Sequence, residues 1–366
     1  MIKKIFLFSI LTLVLVEFFS FAASKFNLLI VNNDPDYIYS YGNKWRTETT
    51  AWGSWHKPNF KDRHESRCFS VDYKSNNIGA RDNENYQEEK KSNSIILLGD
   101  SFAEGFGVNF DDTFHQQLEK KIDKNILNFG SAGHFGPLQS HIIYEKLAKK
   151  YNHDEIIFMF FPHNDFLDNN WDYWKRKVRK FRNRPYLIEN EKNNEYEIFY
   201  PSTDNNVSLF LRDFIFNDFK NFLIKYTYTS NTLRTINFLY QSYFFKDSKN
   251  EIGELSYFYE DIKSIKSSLY SINNIFEQSD EIKKKTLIII PTINDLNKIE
   301  KGEDYKKSFW FKEIKSITKN TSTQLIDLAD YVNSENYSKM IYECDFHWNP
   351  KGHSFIANLI FEKIYN

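Results

Sequence analysis

Between residues 94 and 330 the chain alternates short apolar runs with longer amphipathic stretches. The runs at 95–98, 125–129, 156–161, 286–290 and 324–328 are rich in Ile, Leu and Phe, and the first four are each followed directly by Gly or Pro. A run with little polar alternation is the pattern of a strand covered on both faces. Helices are predicted between the runs. One covers about residues 113–122 behind a cap at Asp112 or Thr113, and one starts near Pro137, a residue suited to a first helical turn. Others cover residues 257–276 and 350–364. The repeated strand-then-helix rhythm predicts an α/β domain with a central parallel sheet and right-handed crossovers.

Two stretches stand outside this rhythm. Lys3 and Lys4 precede an almost wholly apolar run at 5–16, then Glu17, then a second apolar piece at 18–23. That is long enough to cross a bilayer once, and it also has the basic and apolar regions of a secretory signal. Phe21 spoils the small-residue spacing for a cut after Ala23, so an uncleaved anchor with Lys3 and Lys4 on the cytoplasmic side is favoured over a cleaved signal. Glu17 then needs an interfacial position or a partner. Either form exports the remainder of the chain, facing the periplasm or the cell exterior.

The second stretch is residues 166–256, rich in Tyr, Phe, Trp and Asn, with a hairpin-like interval at 186–200 and amphipathic pieces at 210–226 and 232–245. Leaving the carboxyl end of a strand, it reads as a lid or substrate-binding insertion; an insertion with no part in the site is the competing reading. The division expected is therefore residues 1–24 as anchor or signal, 25–93 as a lead-in packing on the core, and 94–366 as the main domain.

Composition adds limits. At 366 residues and 41% hydrophobic content the chain is globular. Its 48 Lys and Arg against 49 Asp and Glu leave no global field for nucleic acid, and the basic run at 175–184 is a local exception. The two cysteines, Cys68 and Cys344, leave a disulfide or two buried thiols open, and their spacing excludes a cysteine-based metal site.

Candidate chemistry gathers at the ends of the predicted strands. The first run leads into Gly99-Asp100-Ser101, so a serine is delivered at a strand's carboxyl end, where open α/β sheets bind ligands. A nucleophilic serine needs a base, a group to orient the base and donors for the oxyanion. His347 is the candidate base, with Asp345 two residues before it; in an extended loop the two share a side. His353, inside the next helix, is the competitor expected to pack or cap instead. The Ser101 N–H, the Gly133 N–H and the Asn164 side-chain amide are the candidate oxyanion donors. A metal-dependent site built on Asp100, Asp165, Asp345 and His347 is the weaker alternative.

In order, the segments GDSFAEGFGV, NFGSAG, PHND and DFHWNPKGH resemble the four sequence blocks of the SGNH hydrolases, the GDSL-like esterases and acyltransferases. The resemblance covers about residues 94–364 without the insertion. Two features depart from the usual pattern: Pro162-His163 stands where the third block commonly has Gly and a small residue, and one residue separates Asp345 from His347 where many members have two. The shorter spacing and the apolar amino terminus look like the membrane-associated or periplasmic acyltransferase-type branch. The resemblance implies a flavodoxin-like three-layer α/β/α domain with a catalytic triad of Ser101, His347 and Asp345. It also implies an oxyanion hole of Ser101, Gly133 and Asn164, and no metal or organic cofactor. The expected activity is ester hydrolysis on O-acyl, above all O-acetyl, groups of an envelope or extracellular glycan. Polysaccharide O-acetyltransfer, hydrolysis of lipid or small esters, and non-catalytic glycan binding on the same scaffold are the alternatives.

Overall fold

The computed structural model describes residues 2–26, 46–49, 51–65, 68–88, 93–175, 184–190, 195–201, scattered positions between 223 and 236, 256–343 and 345–366. Most of the basic run at 175–184 and of the two amphipathic pieces of the insertion lies outside the described residues, as does Cys344. Cys68 is disulfide-bonded. The chain divides into two compact units: Met1–Gly42, His64–Ser70 and Thr203–Gly253 form one, and Asn43–Arg63, Val71–Ser202 and Glu254–Asn366 form the other.

In the first unit Ile2–Lys25 is a single 24-residue helix, long and apolar enough to cross a membrane, with Phe6, Leu7 and Leu13 exposed. Its one internal acid has a partner. The Glu17 carboxylate accepts hydrogen bonds from the Tyr228 N–H at 2.6 Å, the Thr229 N–H at 3.0 Å and the Thr229 hydroxyl at 2.7 Å. Backbone donors satisfy the charge that made Glu17 awkward in an apolar helix.

The second unit begins with an antiparallel pair, β1 (Arg46–Thr49) and β2 (Gly53–His56); β3 (Lys61–Glu65) and β4 (Ser70–Lys74) follow along the chain. The central sheet is built from β5 (Ser94–Leu98), β6 (Asn125–Asn128) and β7 (Glu155–Phe160). The antiparallel hairpin of β8 (Tyr186–Asn190) and β9 (Glu195–Phe199) comes next, and then β10 (Lys284–Ile289) and β11 (Gln324–Asp327) complete the sheet. Its order is β11-β10-β7-β5-β6, and all four pairings are parallel. Counted along the chain this is the flavodoxin-like order 2-1-3-4-5.

The five apolar runs form these five strands to within two residues at either end. Side chains alternate between two cores, as a period of two requires. Ile96, Leu98, Phe158, Leu287 and Ile289 face helices Pro137–Lys146, Ile262–Glu277 and Phe309–Asn320. Ile95, Leu97, Met159, Ile288 and Ile326 face helices Phe114–Glu119, Ile293–Glu300 and Pro350–Ile360. The result is a three-layer α/β/α domain.

One predicted helix starts late: residues 257–261 precede the helix, which begins at Ile262 behind an Asp261 cap. Tyr257 is instead buried, its hydroxyl donating to Asp327 at 2.7 Å. A buried polar contact overrides the helical periodicity there. The topology also sets the site: β5 runs to β6 on one side and β7 lies on the other, so the switch point falls between β5 and β7, where the chain emerges at Ser101 and at Asn164.

Candidate active site

β5 ends at Leu98, and the chain reverses through Gly99 into the short helix Ser101–Glu104. Gly99 has φ +141°, and a Cβ there would lie 2.8 Å from the Met159 carbonyl oxygen on the neighbouring strand. Only glycine fits that approach. Asp100 caps the helix by accepting from the Phe102 N–H at 2.9 Å, which leaves Ser101 as the first helical residue at the sheet's carboxyl edge. The Ser101 hydroxyl stands 2.8 Å from His347 Nε2, across 246 positions of sequence.

The loop carrying His347 is a tight hairpin. Ile341 and Trp348 form an antiparallel bridge, Tyr342 N–H donates to the His347 carbonyl at 2.8 Å and Phe346 N–H to the Tyr342 carbonyl at 2.9 Å. The expected extended loop is corrected here: Phe346, between Asp345 and His347, has φ +66°. A left-handed residue turns the backbone, and Asp345 meets His347 through a turn instead of by strand alternation. Asp345 Oδ1 accepts the His347 N–H at 3.1 Å and lies 3.5 Å from Nδ1. Among the described residues Nδ1 has no hydrogen-bond partner. The imidazole lies against Phe102 and Phe106, with ring centroids 5.3 and 4.6 Å away.

His353 has a different place. It is buried, and its Nδ1 accepts the Phe114 N–H at 3.1 Å. Burial, with the nearby Arg81 charge acting in the same direction, holds its pKa well below the ordinary histidine value, so it is a neutral packing residue.

The turn after β6 lies on the helix that carries Ser101. Ser131 N–H donates to the Gly99 carbonyl at 3.3 Å, Ala132 N–H donates to the Glu104 carboxylate, and a Cβ on Gly130 would come 2.6 Å from Ala103 Cβ. Gly133, next in the turn, has φ +100°. Asn164 is the third residue of helix Pro162–Asp168, which starts where β7 stops, and its amide donates to Asp168 Oδ2 at 2.9 Å. The structure thus carries Ser101, Gly133 and Asn164 to one edge on three neighbouring elements.

The acids at this edge divide by environment. Burial pushes the Asp100 carboxyl up to about 7, against the pull of the Phe102 N–H and the nearby His347 and Asn164. Asp165 accepts the Phe161 N–H at 2.8 Å, and burial together with the charges of Asp100 and Asp168 raises it well above the carboxylate range. Both are therefore predominantly protonated below neutral pH. Among the described residues no three His, Cys, Asp or Glu side chains are grouped so as to hold a metal ion.

Sequence reasoning missed the supports. Glu104 is fully buried, and besides Ala132 it binds the Tyr73 hydroxyl at 2.9 Å and lies 3.2 Å from His56 Nε2. Beside it the Arg81 guanidinium donates to the carbonyls of Glu104, Gly105 and Val108. Residues before β5 also reach the Gly133 turn directly: Ser54 donates to the Ala132 carbonyl at 2.9 Å, and Ser131 donates to the Ser54 carbonyl at 3.2 Å. The one local signal for Glu104 was a charged residue three positions after the serine in an otherwise apolar turn. Asp168, four residues after Asn164, had helical spacing as its signal.

No family model matches this sequence, and no curated protein matches it. Solved structures with a similar fold include a lipolytic protein of the G-D-S-L family from Veillonella parvula, at 10% identity and TM-score 0.38, covering 75% of this chain and 98% of that one. A psychrotrophic esterase from Pseudoalteromonas sp. aligns at 12% identity and TM-score 0.38, covering 74% of this chain and 96% of its own. An acetylxylan esterase from Geobacillus stearothermophilus aligns at 10% identity and TM-score 0.37, covering 76% and 97% respectively. At these values the likeness carries no argument about activity, which has to be read from the residues at the sheet edge.

Proposed function

We propose that the protein is a serine-dependent ester hydrolase, with Ser101 as nucleophile, His347 as general base and acid, and Asp345 as the group that orients His347. The observation that carries this reading is the 2.8 Å contact between the Ser101 hydroxyl and His347 Nε2 at the switch point of the parallel sheet. His347 takes the Ser101 proton as the oxygen attacks an ester carbonyl. The Ser101 and Gly133 N–H groups and the Asn164 amide receive the oxyanion. The alcohol leaves with the proton from His347, and water then attacks the acyl-serine by the reverse sequence. No step calls for a metal or organic cofactor.

The substrate class proposed is an O-acyl ester, above all an O-acetyl group on an envelope or extracellular glycan. Supporting it are the apolar helix Ile2–Lys25, which as an anchor would keep the second unit outside the cytoplasm, and the aromatic-rich stretch after β7, whose rings suit stacking on sugars. Trp171 there packs on Tyr186 and Phe199.

The test uses the full chain in detergent. Wild type is expected to react with a fluorophosphonate probe and to hydrolyse an aryl acetate, and Ser101→Ala to do neither. Wild type inert in both assays, or full activity in Ser101→Ala, overturns the reading. Release of free acetate from an O-acetylated polysaccharide then separates hydrolysis from transfer, in which acetate would move from a donor to glycan instead.

A further inference from the structure

An oxyanion hole works only if its donors are fixed before charge develops. The Gly133 turn and Asn164 lie on separate elements, and one buried side chain touches both. We propose that Asp168 is the positioning residue of the oxyanion hole, each of its carboxylate oxygens holding one donor element, and that Arg184 locks it in place. This rests on the serine-esterase reading of the site.

Asp168 ends helix Pro162–Asp168 and is fully buried. Its Oδ2 accepts from Asn164 Nδ2 at 2.9 Å. An amide has two N–H groups in one plane, so using one for Asp168 sets the direction of the other. Its Oδ1 lies 3.3 Å from His134 Nδ1. His134 immediately follows Gly133 and has φ +63°, after +100° at Gly133. Two successive left-handed residues, the second bearing a side chain, persist only where their surroundings hold them.

Arg184 supplies the rest. Its guanidinium donates to the His134 carbonyl and, at 2.6 Å, to the Asp168 carbonyl, and lies 3.4 Å from Asp168 Oδ1. It is 2% exposed and stacks over Trp174 and Tyr186. Burial pushes the Asp168 carboxyl upward, yet the His134 contact and the Arg184 charge outweigh it and hold the group below the ordinary aspartate range. A charged, fully paired carboxylate is what two donor-bearing elements require at this point. Arg184 comes from the stretch after β7, so part of that stretch builds the site.

The experiment compares wild type, Asp168→Asn and the charge-relieved double variant Asp168→Asn/Arg184→Met in full-length protein. Readouts are kcat and KM for an aryl acetate, inhibition by phenylboronic acid, whose tetrahedral adduct places an oxygen in the oxyanion hole, and Tm. The double variant is included because Asp168→Asn alone leaves a buried guanidinium uncompensated.

In both variants kcat is expected to fall about 10- to 100-fold with KM within about threefold, and the boronate Ki to rise by the same factor as kcat/KM falls. Wild-type kcat in a folded double variant overturns the proposal. So does a loss of activity with boronate inhibition unchanged, which marks a merely structural role. Ser101→Ala in the same assay separates the two levels. Activity surviving in Ser101→Ala removes the esterase reading and this proposal together, whereas a dead Ser101→Ala beside an unimpaired Asp168→Asn removes this proposal alone.

Discussion

The base loop and the oxyanion side of the candidate site are held in different ways. On the oxyanion side, Asn164, the Gly133 turn and the nucleophile helix are tied to the buried acids Asp168 and Glu104, which are in turn bound to Arg184, His56 and Tyr73. Among the described residues the base loop has no buried acid bound to a cationic partner. It rests on the backbone bonds of one hairpin and on the neutral contacts of the Tyr342 hydroxyl with the Gly107 carbonyl and of Trp348 Nε1 with the Tyr337 hydroxyl, both at 3.0 Å, with a left-handed, 65% exposed Phe346 at its turn and 3.5 Å between His347 Nδ1 and Asp345. Under the proposed esterase reading the difference suits the chemistry asked of each side. Donors that stabilise a transient charge gain most from being fixed in advance, while a base that accepts and returns a proton needs its orienting bond only when it becomes cationic.

The largest expected effect tests the looser side. Asp345→Asn should fold normally and lose roughly 10³- to 10⁴-fold in kcat, as base-orienting carboxylates do in other triads. Steady-state kinetics on an aryl acetate check it, and full activity would show that Asp345 does not orient His347 and that the contrast between the two sides has been misread.

A smaller effect is expected on the braced side. Glu104→Gln replaces an acceptor by an N–H₂ group facing the Ala132 N–H or the Tyr73 hydroxyl, leaving one buried donor unpaired. About 1–3 kcal/mol of stability should be lost, read from urea unfolding, with a kcat decrease of about tenfold as the Gly133 turn loosens. Unchanged stability would mean that this network is not a brace.

The smallest effect concerns Asp100, which lies between the two sides. Its carboxyl is raised to about 7 in the folded protein, against about 4 in an unfolded chain. Between these values the folded state holds a proton that the unfolded state has released, so this group's contribution to stability declines as pH rises from about 4 to 7. Asp100→Asn removes that contribution and should flatten the decline of Tm across the same interval. An identical slope in the variant would show that the folded Asp100 titrates like an exposed aspartate.

The elements legible in sequence were those whose signal is local. All five strands of the sheet were readable because each is a compact apolar run stopped by polar or turn residues, and Ser101, Gly133, Asn164, Asp345 and His347 each sit in a short segment at a strand end or before a helix. The late start of the helix at Ile262 was not readable, because Tyr257 belongs to a hydrogen bond with Asp327, 70 positions away. Nor was the turn at Phe346: composition gives no reason to expect a left-handed phenylalanine, and the hairpin bonds between Tyr342 and His347 and the Asp345 carboxylate on the His347 N–H hold it there.

Thus the pattern of apolar runs determined an α/β sheet with chemistry-bearing residues at its carboxyl edge, since side-chain period and strand length are set by neighbours along the chain. Tertiary structure alone decided how that edge is supported. Ala132 met Glu104, and Arg184 met His134. A buried charge takes its partner from whichever segment the fold brings near, and no local pattern records which segment that will be.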